Sequence, residues 1–162
     1  MTLREVYDLQ NALRTVSKMP GARFAYAVAK NQRQVDACIR KYEKKYRAPH
    51  EDEPKYQQAR IEVCKTYCDK DEDGHPVLKN GTFQGLIGNT EFEAAMEALK
   101  EDYKGLFAFK EEQQDRFDKA LDEELPQQEQ PKLHMIRFKD IPEDVTADQI
   151  GGLLPLILDP PE

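Results

Sequence analysis

Residues 69–83 read DKDEDGHPVLKNGTF, and two local structures compete for them. Asp69, Asp71, Asp73 and Gly74 fall on the first, third, fifth and sixth positions of a calcium-binding EF-hand loop, where oxygen ligands and a sharp turn are needed. Position twelve of such a loop should be a bidentate glutamate, and here it is Asn80. Position eight, usually an aliphatic residue that pairs with a second loop, is Pro76, and no second loop exists. The alternative accounts for more of the stretch. Asn80-Gly81 is a two-residue hairpin signal, because both residues tolerate positive φ. Val77-Leu78-Lys79 and Thr82-Phe83-Gln84 flank it as short strands, and Asp73-Gly74 makes the preceding turn. A β-hairpin near 73–85 with no metal is therefore expected.

The segments on either side of it read as helices. Upstream, Leu3, Val6, Leu9, Leu13 and Val16 recur at helical spacing over 2–18, and Met19-Pro20-Gly21 ends that element. A second helical pattern runs from Ala22 to about Arg47 with Val28, Val35 and Tyr42 a heptad apart. Pro54 reads as the start of its continuation, which carries Tyr56, Val63 and Tyr67. Downstream, Phe92, Met96, Leu99, Tyr103, Leu106, Phe117, Leu121 and Leu125 predict one long helix over 90–124, entered through Asn89 with Thr90 and Glu93 spaced as a capping box. Gly105 weakens it locally and Pro126 stops it. LHMIRFKDIP then alternates like a strand, and residues 146–154 read as a short helix leading into LLPLI. The predicted fold class is mainly α with a small β component (α+β). Residues 1–125 form a long antiparallel helical hairpin with the β-hairpin at its tip and Val35 and Leu99 buried on its seam. Residues 126–162 form a short strand/helix extension packed on it or on a partner.

The charge is uneven. Residues 1–50 hold 11 Lys/Arg against 4 Asp/Glu, whereas the whole chain has net charge −7. Arg33, Arg40, Lys41, Lys44, Lys45 and Arg47 make a basic helix face with Tyr42 and Tyr46 interleaved, a composition that can contact nucleic acid. The same tyrosines lie on the apolar stripe, which favours core positions for them and a solvated face for the charges. Cys38, Cys64 and Cys68 follow no signal-peptide pattern and read as reduced thiols. Cys64 and Cys68, one helical turn apart, find no histidine at a convincing zinc-ligand spacing among His50, His75 and His134. No run of residues approaches a membrane span.

The layout resembles a family of small uncharacterised proteins of tailed bacteriophages and prophages. The resemblance rests on RFAYAVAKNQRQVD, YCDKDEDGHPVLKNGTF and IPEDVTADQIGGLLPLI. It implies phage origin and a location in the host cytoplasm or the virion. That family has no assigned catalytic residues, so no roles transfer.

No phosphate-binding, metalloprotease or nucleophile-elbow motif is present, and no catalytic or cofactor-binding residue is expected. The functional expectation is a non-catalytic factor that binds a host or phage protein. Its interface would be Leu153, Leu154, Leu156 and Ile157, because an apolar terminal segment must find a groove, its own or a partner's. A virion or assembly component that forms homo-oligomers through its helices is the alternative. A nucleic-acid-facing or nucleic-acid-mimicking accessory protein is the second. Micromolar calcium is expected to leave the melting temperature unchanged, and a rise of many degrees would overturn the hairpin reading of residues 69–83.

Overall fold

A computed structural model describes residues 1–158. In chain order its helices are α1 (Leu3–Thr15), α2 (Ala22–Tyr46), α3 (Glu53–Tyr67), α4 (Thr90–Asp102), α5 (Lys104–Leu121) and α6 (Ala147–Leu153). Its strands are β1 (Leu78–Lys79), β2 (Thr82–Phe83), β3 (Ile136–Arg137) and β4 (Ile157–Leu158). The fold is mainly helical with a small β component, as the sequence patterns predict, and its strands form two two-stranded sheets. Two units are distinguished: Met1–Ala48 with Asp115–Glu162, and Pro49–Gln114. Each has its own core.

In the first unit α1 packs against α2 and α6. Thr2 and Glu5 close a capping box on α1, with the Thr2 hydroxyl accepting from the Glu5 N–H at 3.2 Å and the Glu5 carboxylate from the Thr2 N–H at 2.8 Å. The expected stripe Leu3, Val6, Leu9, Leu13 and Val16 is buried, and it meets Phe24, Val28, Val35 and Ile39 of α2. The LLPLI segment completes this core. Leu153, Leu156 and Ile157 are buried with α1 and α2 residues, and the polypeptide can approach so closely because Gly152 faces Ala12. A Cβ on Gly152 would stand 2.7 Å from that of Ala12. The short helix α6 is entered through a second capping box, Thr146 with Gln149.

The strand predicted in LHMIRFKDIP is shorter than its alternation suggests. Only Ile136 and Arg137 pair, in parallel with Ile157 and Leu158, and Phe138–Asp140 turn into a 3-10 helix. This segment is fixed to α2 by a fully buried side chain, Asn31. Its amide Nδ2 donates to the His134 carbonyl at 2.8 Å, and its Oδ1 accepts from the His134 N–H at 2.7 Å.

The second unit holds α3 and α4, which flank the hairpin, and the first part of α5. Tyr56 near the start of α3 meets Tyr103 past the end of α4, with ring centroids 5.5 Å apart. At the other end the Asn89 amide donates to the Tyr67 carbonyl at 3.2 Å. The two helices are therefore antiparallel, and Tyr56, Leu99 and Leu106 form the centre of their core. β1 and β2 pair antiparallel, and Asn80 and Gly81 both adopt positive φ, 50° and 76°, the conformation that a two-residue hairpin turn requires.

Three expectations are corrected. The helix predicted over 90–124 is broken at Tyr103 into α4 and α5. The break falls beside Gly105, where helix propensity is lowest, and the Leu106 N–H reaches back to the Tyr103 carbonyl at 2.9 Å. The cap of α4 is Asn89, whose side chain accepts from the Phe92 N–H at 3.0 Å. Thr90 is already inside the helix. Val35 and Leu99 are both buried as expected, but in the separate cores of the two units.

Asn31→Leu is expected to lower the stability of the chain, because it leaves the N–H and carbonyl of His134 without their partner. Each such group costs about 1–3 kcal/mol when buried. Urea unfolding is the measurement. A change within about 0.5 kcal/mol, the range of a neutral surface substitution, would show that Asn31 does not pin the segment.

Candidate functional site

The acidic loop is a hydrogen-bonded turn. One Asp71 carboxylate oxygen accepts from the backbone N–H groups of Asp73 at 3.0 Å and His75 at 2.7 Å. The Asp71 carbonyl accepts from the Gly74 N–H at 3.0 Å. Asp71, Asp73 and His75 are exposed and lie within 4.8 Å of one another. Asp69 does not join them. Its carboxylate is directed at Gly85, where a Cβ would come within 2.0 Å of an Asp69 oxygen. The three cysteines are buried as free thiols. Cys38 points its thiol at the Glu129 carbonyl, 3.6 Å away, and Cys68 at the Lys65 carbonyl, 3.4 Å away.

Four of the six basic residues expected on this face, Arg40, Lys41, Lys45 and Arg47, are engaged with their own unit. Lys41 pairs with Glu129 at 2.9 Å, Lys45 lies over the Tyr46 ring at 4.9 Å, and Arg47 lies over Phe117 at 4.7 Å. Arg40 donates to the Asp36 carbonyl of the preceding turn at 3.1 Å. Tyr42 is a core residue. Its hydroxyl donates to the Glu129 carboxylate, and its ring is buried and stacked on Tyr46, centroids 6.2 Å apart, so it offers no ring face for a base to stack on. Burial, then the Glu129 carboxylate, pushes the Tyr42 hydroxyl well above the usual tyrosine value. The Tyr42 hydrogen bond, then that of Lys41, holds the Glu129 carboxyl below its ordinary range.

The expected interface divides. Leu153, Leu156 and Ile157 are core side chains, and Leu154, 54% exposed, alone faces outward. The physical reason is that the segment finds its groove between α1 and α2 of its own chain, so three of the four leucine and isoleucine side chains are not available to a partner.

A different surface gathers exposed apolar side chains. Tyr26 of α2, Met135 before β3, Phe138 after it and Leu158 of β4 are between 38% and 61% exposed. They line two adjoining clefts that share Arg137 and Leu158. The cleft between α2 and β3, about 450 Å³, has Tyr26, Met135 and Leu158 in its wall with Arg23 and Asp140 at its margin. Tyr26 is held edge-on to His134, centroids 5.8 Å apart, and the Lys30 ammonium stands 3.5 Å from the His134 ring nitrogen. Sequence patterns do not disclose this surface, because its parts are more than a hundred residues apart. The local signal is Tyr26, an aromatic residue off the buried stripe of α2.

Comparison with protein-family models, with curated proteins and with solved structures finds no match for this chain. Among the described residues no helix is long and apolar enough to cross a membrane.

The Glu129 contact carries a pH dependence whose sign is set by the lowered carboxyl. A carboxyl depressed in the folded state contributes stability that is present above its unfolded value and is lost as pH falls through the folded one. The melting temperature is expected to drop on acidification below 4.5, the ordinary value of this carboxyl, and Glu129→Gln should flatten part of that drop. Superimposable acid limbs for the two proteins would show that the contact contributes nothing.

Proposed function

We propose that this chain is a non-catalytic factor that binds a protein partner through the Tyr26, Met135, Phe138 and Leu158 face. The resemblance to tailed-phage and prophage proteins extends the reading to a phage-encoded factor acting on a host or phage protein, in the host cytoplasm or the virion. The observation that carries it is the convergence of four exposed large apolar side chains on two adjoining clefts. A scattered exposed leucine needs no explanation, whereas apolar residues gathered on one surface and rimmed by polar groups are a common mark of a binding site. Aromatic, methionine and arginine side chains are also the types enriched at the centre of protein interfaces.

The LLPLI segment contributes structure to this proposal. By filling the groove of α1 and α2 it holds β4, and therefore Leu158, beside β3.

The test is capture from bacterial host lysate by immobilised chain, quantified by mass spectrometry. Tyr26→Asp and Leu158→Asp are each expected to reduce the captured partner more than tenfold while circular dichroism stays unchanged. Leu154→Asp, exposed but lining neither cleft, should retain it. Equal capture by all four proteins would overturn the face as the interface.

A further inference from the structure

Charge as well as shape defines what fits this face. The two clefts are lined by Arg23, Arg137 and Lys139 against one carboxylate, Asp140. That balance is inverted from the chain as a whole, which carries −7. Asp140 is already engaged by Arg23 at 3.6 Å. Arg137 and Lys139 form no ion pair among the described residues, and both are exposed. Arg23 stands in the first turn of α2, which has no acidic residue and no side-chain cap, so the helix dipole adds to the positive potential there. Among the described residues Arg137 and Lys139 therefore stand beside apolar surface with no carboxylate paired to them.

We propose that the occupant of this face is an acidic, apolar segment of another protein. Its leucine- or phenylalanine-sized side chains enter the cleft beside Tyr26 and Met135, and its carboxylates meet Arg137 and Lys139. This rests on the face being a protein-binding surface. An arginine fork donates two parallel N–H···O bonds to a carboxylate, and the apolar wall supplies the desolvated centre that such a contact needs. A nucleic-acid strand fits less well. Tyr26 and Phe138 carry rings, but Tyr26 is packed edge-on to His134, Met135 and Leu158 offer no ring on which a base can stack, and a phosphate backbone requires a track of cations along its length.

A random dodecapeptide library, displayed and selected on the intact chain, tests the proposal. Enrichment of Asp and Glu together with Leu, Ile or Phe is expected, against the general tendency of an acidic protein to select basic peptides. The exposed double variant Arg137→Glu, Lys139→Glu should lose that enrichment and select Lys and Arg in its place. Absence of acidic enrichment, or the same enrichment on the variant, would overturn the proposal. So would tighter binding of single-stranded oligo-dT that the double variant abolishes, or a homodimer in sedimentation that the double variant dissociates. If lysate capture depends on Tyr26 and Leu158 but the library shows no acidic preference, the partner chemistry fails and the face stands. If capture is indifferent to both residues, the face itself fails.

Discussion

The pairing of the Asn31 side chain with the backbone of His134 governs the geometry of the first unit's surface. Within a helix the backbone N–H and C=O groups are consumed internally, so α2 has nothing of its own main chain to offer an extended neighbour. A primary amide carries both N–H donors and an acceptor oxygen, and Asn31 uses one donor and the oxygen on the carbonyl and N–H of one residue. It thereby acts as a single strand residue projecting from a helix. Because strand side chains alternate, fixing His134 also fixes the facing of residues 135–137. Ile136 enters the core, Met135 and Arg137 face outward, and β4 adopts its register from β3. A polar group buried in an apolar core is costly unless it is bonded, so the same residue that sets the register also penalises any alternative one.

The C-terminal segment shows how an apolar run can be divided between two tasks. Leu153 and Leu156 are three residues apart and Ile157 comes directly after, so the helical turn at Leu154–Leu156 puts all three toward α1 and α2. Leu154 is left on the opposite side. The turn sits close because Gly152 and Ala12 are both small, and a larger side chain at either place would force the helices apart. Burial of such side chains is worth about 1.5–3 kcal/mol each, and the Gln149 amide of α6 adds a 3.3 Å bond to the Thr15 carbonyl. The apolar terminus is thus consumed by the fold, and the surface it supports is the one left exposed.

Sequence patterns reveal those parts of this molecule whose causes are local. Asn80-Gly81 predicts its turn because the requirement for positive φ resides in those two residues, and both adopt it. Met19-Pro20-Gly21 separates α1 from α2, and Gly21 takes φ 100° just before α2 begins. The division of α4 from α5 is half-visible, since Gly105 marks weakness but not the residue at which the ladder breaks. What periodicity cannot reveal is which stripes meet. Val35 and Leu99 occupy equivalent positions in their patterns, yet each serves a different core. Asn31 is invisible for the same reason, being polar and indistinguishable from a surface position until His134 is brought against it. The clefts combine Tyr26 with residues 134–140 and Leu158, a juxtaposition that only this non-local pairing creates.

Net charge is a poor guide to what this chain attracts. At physiological ionic strength the potential of an exposed charge is screened over about 8 Å, so a partner at a cleft responds to the few groups around it. The N-terminal excess of basic residues seen in the sequence is spent unevenly. Lys41 is neutralised by Glu129, and Lys45 and Arg47 are laid over aromatic rings, so each is tied to its own unit before a ligand arrives. Arg137 and Lys139, which lie outside the basic segment, stand with Arg23 beside exposed apolar surface, and they are the two with no ion pair among the described residues. Location against apolar surface, more than the count of lysines and arginines, decides which of these charges can meet a partner. An ion pair formed at the edge of a desolvated cleft is worth more than the same pair in open solvent.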